Sequence, residues 1–283
     1  MQQEQIKNTN KYTVAAINDL SGSSRCSLTV AIPVLYAMGI KCCALPTAIL
    51  SNHTGYNEYF FDDYTDKMPE IANKWKSQGL KFDAIYTGFI GSEHQIDIVK
   101  DFINTFKAEN TKLIIDPVMG DDGKIYTTYN DNMCHLMKRL INGADVITPN
   151  LTEACALCDM PYTGEYAGYD ELEKMLYKLY GMGAKNIVIT GIKCNNSNTV
   201  SNAVYDGHEI KMFSSRKSSV NYTGTGDLFA SVVCGRIVRG FSVFDAVSFA
   251  TEYIYKVGEH SIKMGLTVNE GMGFEKFMSE LTQ

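Results

Sequence analysis

Short apolar runs alternate along this chain with longer segments in which apolar residues recur every three or four positions. The runs Tyr12–Ile17, Lys41–Leu50, Phe82–Thr87, Lys112–Ile115, Ala144–Ile147 and Asn186–Thr190 are short and end in polar residues, which predicts buried strands. Helical spacing predicts helices over Cys26–Met38, Asp66–Gln78, Glu93–Ala108, Asn130–Ile141, Leu151–Cys158 and Asp170–Gly181. Gly39 and Gly79 stop the first two of these, and Ser92 is placed to cap the third. Val200–Tyr205 and Glu209–Phe213 flank Asp206-Gly207 and predict a hairpin. Two further helices follow, over about Gly226–Val238 and Val243–Val257, and from Ser261 the helical character is weak. Alternating strands and helices predict an α/β fold, a mostly parallel sheet with helices on both faces. No repeat, low-complexity tract or linker interrupts the pattern. One domain over residues 1–283 is therefore expected, with a polar extension at residues 1–11.

In open α/β sheets, ligands bind outside the carboxyl ends of the strands. Polar groups fall there in succession: Asn18-Asp19, Ser51–Thr54, Gly88–Ser92, Asp116–Asp122, Thr148–Glu153 and Thr190-Gly191. Loops are polar in general, but that does not explain acids collecting in them without Lys or Arg to balance. Asp116, Asp121, Asp122 and Glu153 are hard oxygen ligands that could meet around a magnesium ion or its waters.

The stretch Asn221–Ala230 draws most attention. Gly224 and Gly226 surround Thr225, Asp227 follows, and an apolar helical run begins. Glycines let the backbone turn tightly and approach a ligand. The helix start then presents free N–H groups and its positive dipole end, a place for a phosphate. Asp227 has two readings. It caps the helix, or it is a base beside the anion site that takes a proton from an attacking hydroxyl.

Composition narrows the class. The chain has 283 residues, 45% hydrophobic and 20% charged, with a net charge of −6. No basic block stands out, which argues against a nucleic-acid partner. The amino terminus lacks the apolar core of a signal peptide, and no apolar run reaches membrane-spanning length, so no membrane partner and a cytoplasmic location are expected. Eight cysteines are scattered, and Cys155 and Cys158 read as two positions of one helix rather than half of a zinc site. His53 reads as a loop residue, and Tyr56 and Phe89 as either ring-stacking or core aromatics. There is no G-x-G-x-x-G after the first strand, no P-loop signature and no G-x-S-x-G elbow.

The chain resembles the pyridoxal/pyridoxamine (vitamin B6) kinases of the ribokinase superfamily. The resemblance rests on AINDLSG around Asp19, LPTAILSNHTGY at 45–56, TGFIGS at 87–92, DPVMGDDG at 116–123, ADVITPNLTEA at 144–154 and GTGDLFAS at 224–231. These pieces keep the family's order over nearly the whole chain. The resemblance implies a ribokinase-like three-layer sandwich that phosphorylates the 5′-hydroxyl of a B6 vitamer with ATP and magnesium. Asp227 would be the base, and Gly224, Thr225 and Gly226 the anion hole. Asp116, Asn150, Glu153, Thr190 and Thr223 would lie on the nucleotide side, with Asp121 and Glu153 nearest magnesium. Thr148 and Thr190 match positions near a potassium or sodium ion. Asp19, Thr47, Thr54 and Phe89 would face the pyridine ring. Many relatives have Ser where this chain has Asp19, which turns the expected preference towards pyridoxamine or pyridoxine. By analogy the protein would be a homodimer. The alternatives are a hydroxymethylpyrimidine or sugar kinase of the superfamily, and a non-catalytic B6-binding regulatory protein.

Overall fold

The structure is a computed structural model that describes residues 11–126, 129–164, 168–193 and 198–282. The polar extension therefore lies outside the described residues up to residue 10.

Eleven strands are described: β1 (Tyr12–Ser21), β2 (Ile40–Leu50), β3 (Phe61–Asp63), β4 (Ala84–Thr87), β5 (Lys112–Ile115), β6 (Gly120–Asp121), β7 (Lys124–Ile125), β8 (Val146–Ile147), β9 (Ile187–Lys193), β10 (Thr199–Tyr205) and β11 (Ile210–Arg216). The helices are α1 (Ser27–Ala37), α2 (Met68–Ser77), α3 (Glu93–Phe106), α4 (Asp131–Leu140), α5 (Leu151–Cys158), α6 (Tyr169–Gly181), α7 (Thr225–Val238) and α8 (Val243–Lys263). Short 3-10 turns at Val268–Glu270 and Glu275–Thr282 complete the described chain.

Nine strands form one sheet in the order β11-β10-β9-β8-β5-β4-β1-β2-β3. The six from β9 to β2 run parallel, while β3 and the β10/β11 hairpin are antiparallel additions at the two edges. Alternate residues of one strand point to opposite faces, and the core divides accordingly. Ala15, Ile17, Ile85, Leu113, Ile115 and Ile147 pack with the helices α2 to α6. Val14, Ala16, Ala84, Tyr86, Ile114 and Val146 pack with α1, α7 and α8. The central strands β1, β4, β5 and β8 are thus apolar on both faces, as a sheet buried between two helical layers requires.

The expected strands and helices are present, and Ser92 caps α3 by accepting from the Gln95 N–H. Cys155 and Cys158 both lie buried in α5. Three features go beyond the sequence reading. β3 adds an exposed edge strand, β6 and β7 form a tight hairpin, and β1 continues through Asn18 and Asp19 to Ser21. Among the described residues no helix is long and apolar enough to cross a membrane.

The sheet order fixes where a ligand can enter. β2 follows β1 on one side, and β4 returns to pair with β1 on the other. The chain leaves β1 for α1 on one face and β4 for α3 on the opposite face. Such a topological switch point opens a crevice at the strand carboxyl ends. Here the switch point lies beside Asn18, Asp19 and Gly88.

Candidate active site

Asn18 ends the regular pairing of β1 with β2, whose register shifts between Asn18 and Leu20. Its Oδ1 accepts from the backbone N–H of Asp19 at 2.9 Å and of Phe89 at 2.8 Å. Its Nδ2 donates to Asp227 Oδ1 at 3.1 Å. The amide fits only because residue 88 is glycine, since a Cβ there would collide with the Asn18 side chain. Thr47, fully buried on β2, donates its hydroxyl to the Phe89 carbonyl at 3.0 Å. One chain of hydrogen bonds thus runs from β2 through the loop after β4 and the end of β1 to the start of α7.

Asp227 sits in the first turn of α7. Gly224, the residue before that helix, has φ +77°, and a Cβ there would strike the Arg25 carbonyl oxygen. Only glycine suits that position. The N–H groups of the first turn have no partner within the helix. Thr225 turns its hydroxyl inward to the Tyr222 carbonyl at 2.7 Å, so its backbone, not its side chain, faces the turn. Thr223 is tied to the carboxyl-terminal segment through its N–H to the Val268 carbonyl at 3.1 Å. Burial pushes the Asp227 carboxyl up from 3.8 to about 6, with the Asp19 charge adding to the rise, while the Ser27 N–H and the Asn18 amide oppose it.

Asp19 is buried and accepts from the Ser21 hydroxyl at 2.7 Å. Burial raises its carboxyl above the usual range. Phe89 is half-buried against the core beneath it, and Thr54 lies exposed in the loop after β2. His53 lies in the same loop, as expected, and both its ring nitrogens have partners. Its Nδ1 accepts from the Gly55 N–H at 3.0 Å, and its Nε2 lies 3.1 Å from the Asn269 carbonyl, where the neutral Nε2–H tautomer donates.

The second group of acids lies beyond β5 and β8. Asp116 accepts from the buried Thr148 hydroxyl at 2.9 Å. Burial raises Asp116, and the charge of Asp227 raises it further. Glu153 forms a capping box with Asn150: the Asn150 side chain accepts from the Glu153 N–H, and Glu153 Oε2 accepts from the Asn150 N–H at 2.8 Å. Glu153 Oε1 accepts from the Met119 N–H at 3.0 Å, and Asn150 Nδ2 donates to the Gly120 carbonyl at 2.8 Å. Asn150 and Glu153 therefore fasten the 116–120 loop to α5. Asp121, at the end of that loop, is raised by burial. Thr190 meets Asn150 across a β-bridge, which joins the two loops of this side.

The structure therefore brings Asp19, Thr47, Phe89 and Asp227 around the switch point. It brings Asp116, Asp121, Thr148, Asn150, Glu153 and Thr190 together on the adjoining side. Thr54 is exposed in the loop after β2. Asn18 and Ser21 hold the first group together and were not among the expected site residues.

An α/β sheet with this strand order, a switch-point crevice and a glycine turn aimed into it define a ribokinase-like kinase fold. The chain belongs to the phosphomethylpyrimidine kinase family, whose model matches residues 32–273. It is similar to a Bacteroides thetaiotaomicron protein, provisionally described as a phosphomethylpyrimidine kinase and crystallised with pyridoxal. The two are 40% identical with a TM-score of 0.92, and the match covers 96% of each chain. The pyridoxine kinase of Bacillus subtilis is 30% identical over 199 residues, 70% of either chain. A Schizosaccharomyces pombe protein provisionally named a pyridoxal kinase is 30% identical over 201 residues, which cover 68% of this chain but only 58% of that one.

Proposed function

We propose that this chain transfers the γ-phosphoryl group of ATP to the 5′-hydroxyl of a vitamin B6 vitamer. The observation that carries the reading is the placement of Asp227. A carboxylate stands at the switch-point crevice, in the first turn of a helix whose N–H groups can hold a phosphate. Phosphoryl transfer needs positioning and charge neutralisation more than covalent chemistry. Asp227 takes the hydroxyl proton as the oxygen attacks phosphorus, and the N–H groups at Gly224–Gly226 hold the transferring oxygens.

Among the described residues no group of three or more His, Cys, Asp or Glu converges to hold a metal alone. Magnesium suits such a site, because it is commonly held by one or two carboxylates together with substrate phosphates and waters. Asp116 is a buried acid and Asp121 a surface acid at its loop's end, both raised above the usual carboxylate range, and a cation would relieve their charge. They would hold it on the loop that Glu153 fastens, and when bound it supplies neutralisation of phosphate charge. Asp19, Thr47 and Phe89 face the acceptor ring, and the pyridoxal bound by the Bacteroides relative supports a pyridine there.

The family description favours one second reading, phosphorylation of hydroxymethylpyrimidine or its monophosphate. Coupled ADP release with pyridoxal, pyridoxine, pyridoxamine, hydroxymethylpyrimidine and ribose separates the two. The proposal expects turnover with at least one vitamer and a lower kcat/KM for the pyrimidine. A higher kcat/KM for the pyrimidine than for every vitamer would sink it.

A further inference from the structure

We infer that Asn18 is the positioning residue for Asp227, holding its carboxylate aimed at the acceptor hydroxyl. This rests on the phosphoryl-transfer reading above, with Asp227 as the base.

The orientation of the Asn18 amide follows from its surroundings. Two backbone N–H groups, from Asp19 and Phe89, converge on one end of the side chain. That end must be the oxygen, because an amide nitrogen would meet donors with donors. The NH2 end is therefore turned to Asp227, where it donates to Oδ1. Gly88 leaves the amide its room, and the end of β1 fixes its backbone.

The consequence is chemical as well as geometric. A donor aimed at one carboxylate oxygen stabilises the ionised form, the form a base needs. Together with the Ser27 N–H it fixes the orientation of the carboxylate. The same amide accepts from the Phe89 N–H, so the ring-facing loop and the base share one anchor. The other titratable groups facing Asp227 all act against ionisation or are themselves held neutral. They are Asp19 from β1, Cys26 before α1, Tyr86 from β4, Asp116 after β5 and Tyr126 beyond β7.

The test is Asn18→Asp. It keeps an oxygen acceptor for both backbone N–H groups and changes only the contact with Asp227, from donor to like charge. The readout is the pH profile of kcat/KM for the vitamer that wild type uses best, with thermal unfolding as a check on folding. The acidic limb is expected to move up by about one pH unit or more, because two carboxylates in contact cannot both ionise easily. Asn18→Ala removes the donor without adding charge and is expected to move the limb the same way by less, with lower kcat. Asp227→Asn distinguishes failure of this inference from failure of the base reading. If Asp227→Asn loses about 10²-fold or more in kcat while neither Asn18 variant moves the limb or lowers kcat, the positioning role is overturned. If Asp227→Asn stays within a few-fold of wild type, the base reading falls and the positioning role falls with it.

Discussion

Asp19 concentrates the question of substrate choice at a single carboxylate. It sits at the end of β1 with one oxygen engaged by Ser21 and its charge disfavoured by burial. A cationic group on the acceptor would relieve that cost, and the aminomethyl group of pyridoxamine supplies one. A charge-assisted hydrogen bond contributes about 1.5–3 kcal/mol, roughly tenfold or more in kcat/KM. Asp19→Ser is accordingly expected to reduce kcat/KM for pyridoxamine by that factor and to change pyridoxal little. A uniform loss for pyridoxamine, pyridoxine and pyridoxal would instead mean that Asp19 meets the ring or its hydroxyl. No kinetic change with a lower Tm would leave it a residue of the turn. Asp19, Asp116 and Glu153 were legible in the sequence because they fall after apolar strands with no cation beside them, and Asp227 because a glycine turn precedes it at a helix start. Asn18 was not. An Asn beside an Asp at a strand end carries no signal of its own, and its role depends on Gly88 and Asp227, which are distant in sequence and meet only through the switch in strand order.

At the scale of elements, the long periodic helices and apolar strands were readable because burial on one or two faces imposes a period. The short pieces were not. β6 and β7 are two residues each, so no alternation can register. The signal that did exist was local: Asp122 and Gly123 both have positive φ, the conformation that an Asp-Gly hairpin turn demands. β3 pairs at the sheet edge with all three residues exposed, and an exposed strand has no apolar face to betray it. The capping box at α5 shows an element serving the site. Glu153 accepts two backbone N–H groups, one from its own helix start and one from the 116–120 loop. Glutamine can accept only through its oxygen, so Glu153→Gln leaves one buried N–H facing an NH2 group. The expected cost is about 1–3 kcal/mol of stability, together with a raised KM for ATP. Vitamer affinity, measured by calorimetry without nucleotide, should hold, since Asn18, Asp19 and Thr47 are bonded independently of this loop. Unchanged Tm with lost magnesium dependence would place Glu153 on the metal rather than on the loop. Weakened vitamer binding would place it on the wrong side of the site.

The whole molecule gathers acids where two helical layers and the strand ends meet. Asp19, Asp116, Glu153 and Asp227 are all raised by burial, and the chain as a whole carries a net charge of −6. An acid whose pKa is higher in the folded than in the unfolded protein binds its proton more tightly when folded. The stability it contributes is fully present below the unfolded value and is lost as pH rises through the folded one. For Asp227 that window runs from 3.8 to about 6, and the other three shift in the same direction. The opposing carboxyls, Asp159, Asp206 and Glu270, are held low by hydrogen bonds at exposed sites, where solvent weakens their effect. The ligand-free protein should therefore melt at a higher temperature at about pH 5 than at about pH 8, measured calorimetrically at constant ionic strength. Asp227→Asn removes one titrating group from the site and should flatten part of that slope. Magnesium with a non-hydrolysable ATP analogue should raise Tm more at the higher pH, because there the acids are ionised and a cation offsets their repulsion. A Tm that climbs steadily across the same range, with Asp227→Asn parallel to wild type, would show that these acids are not held above their ordinary values. Any binding of a cation at the site would then need another source than buried negative charge.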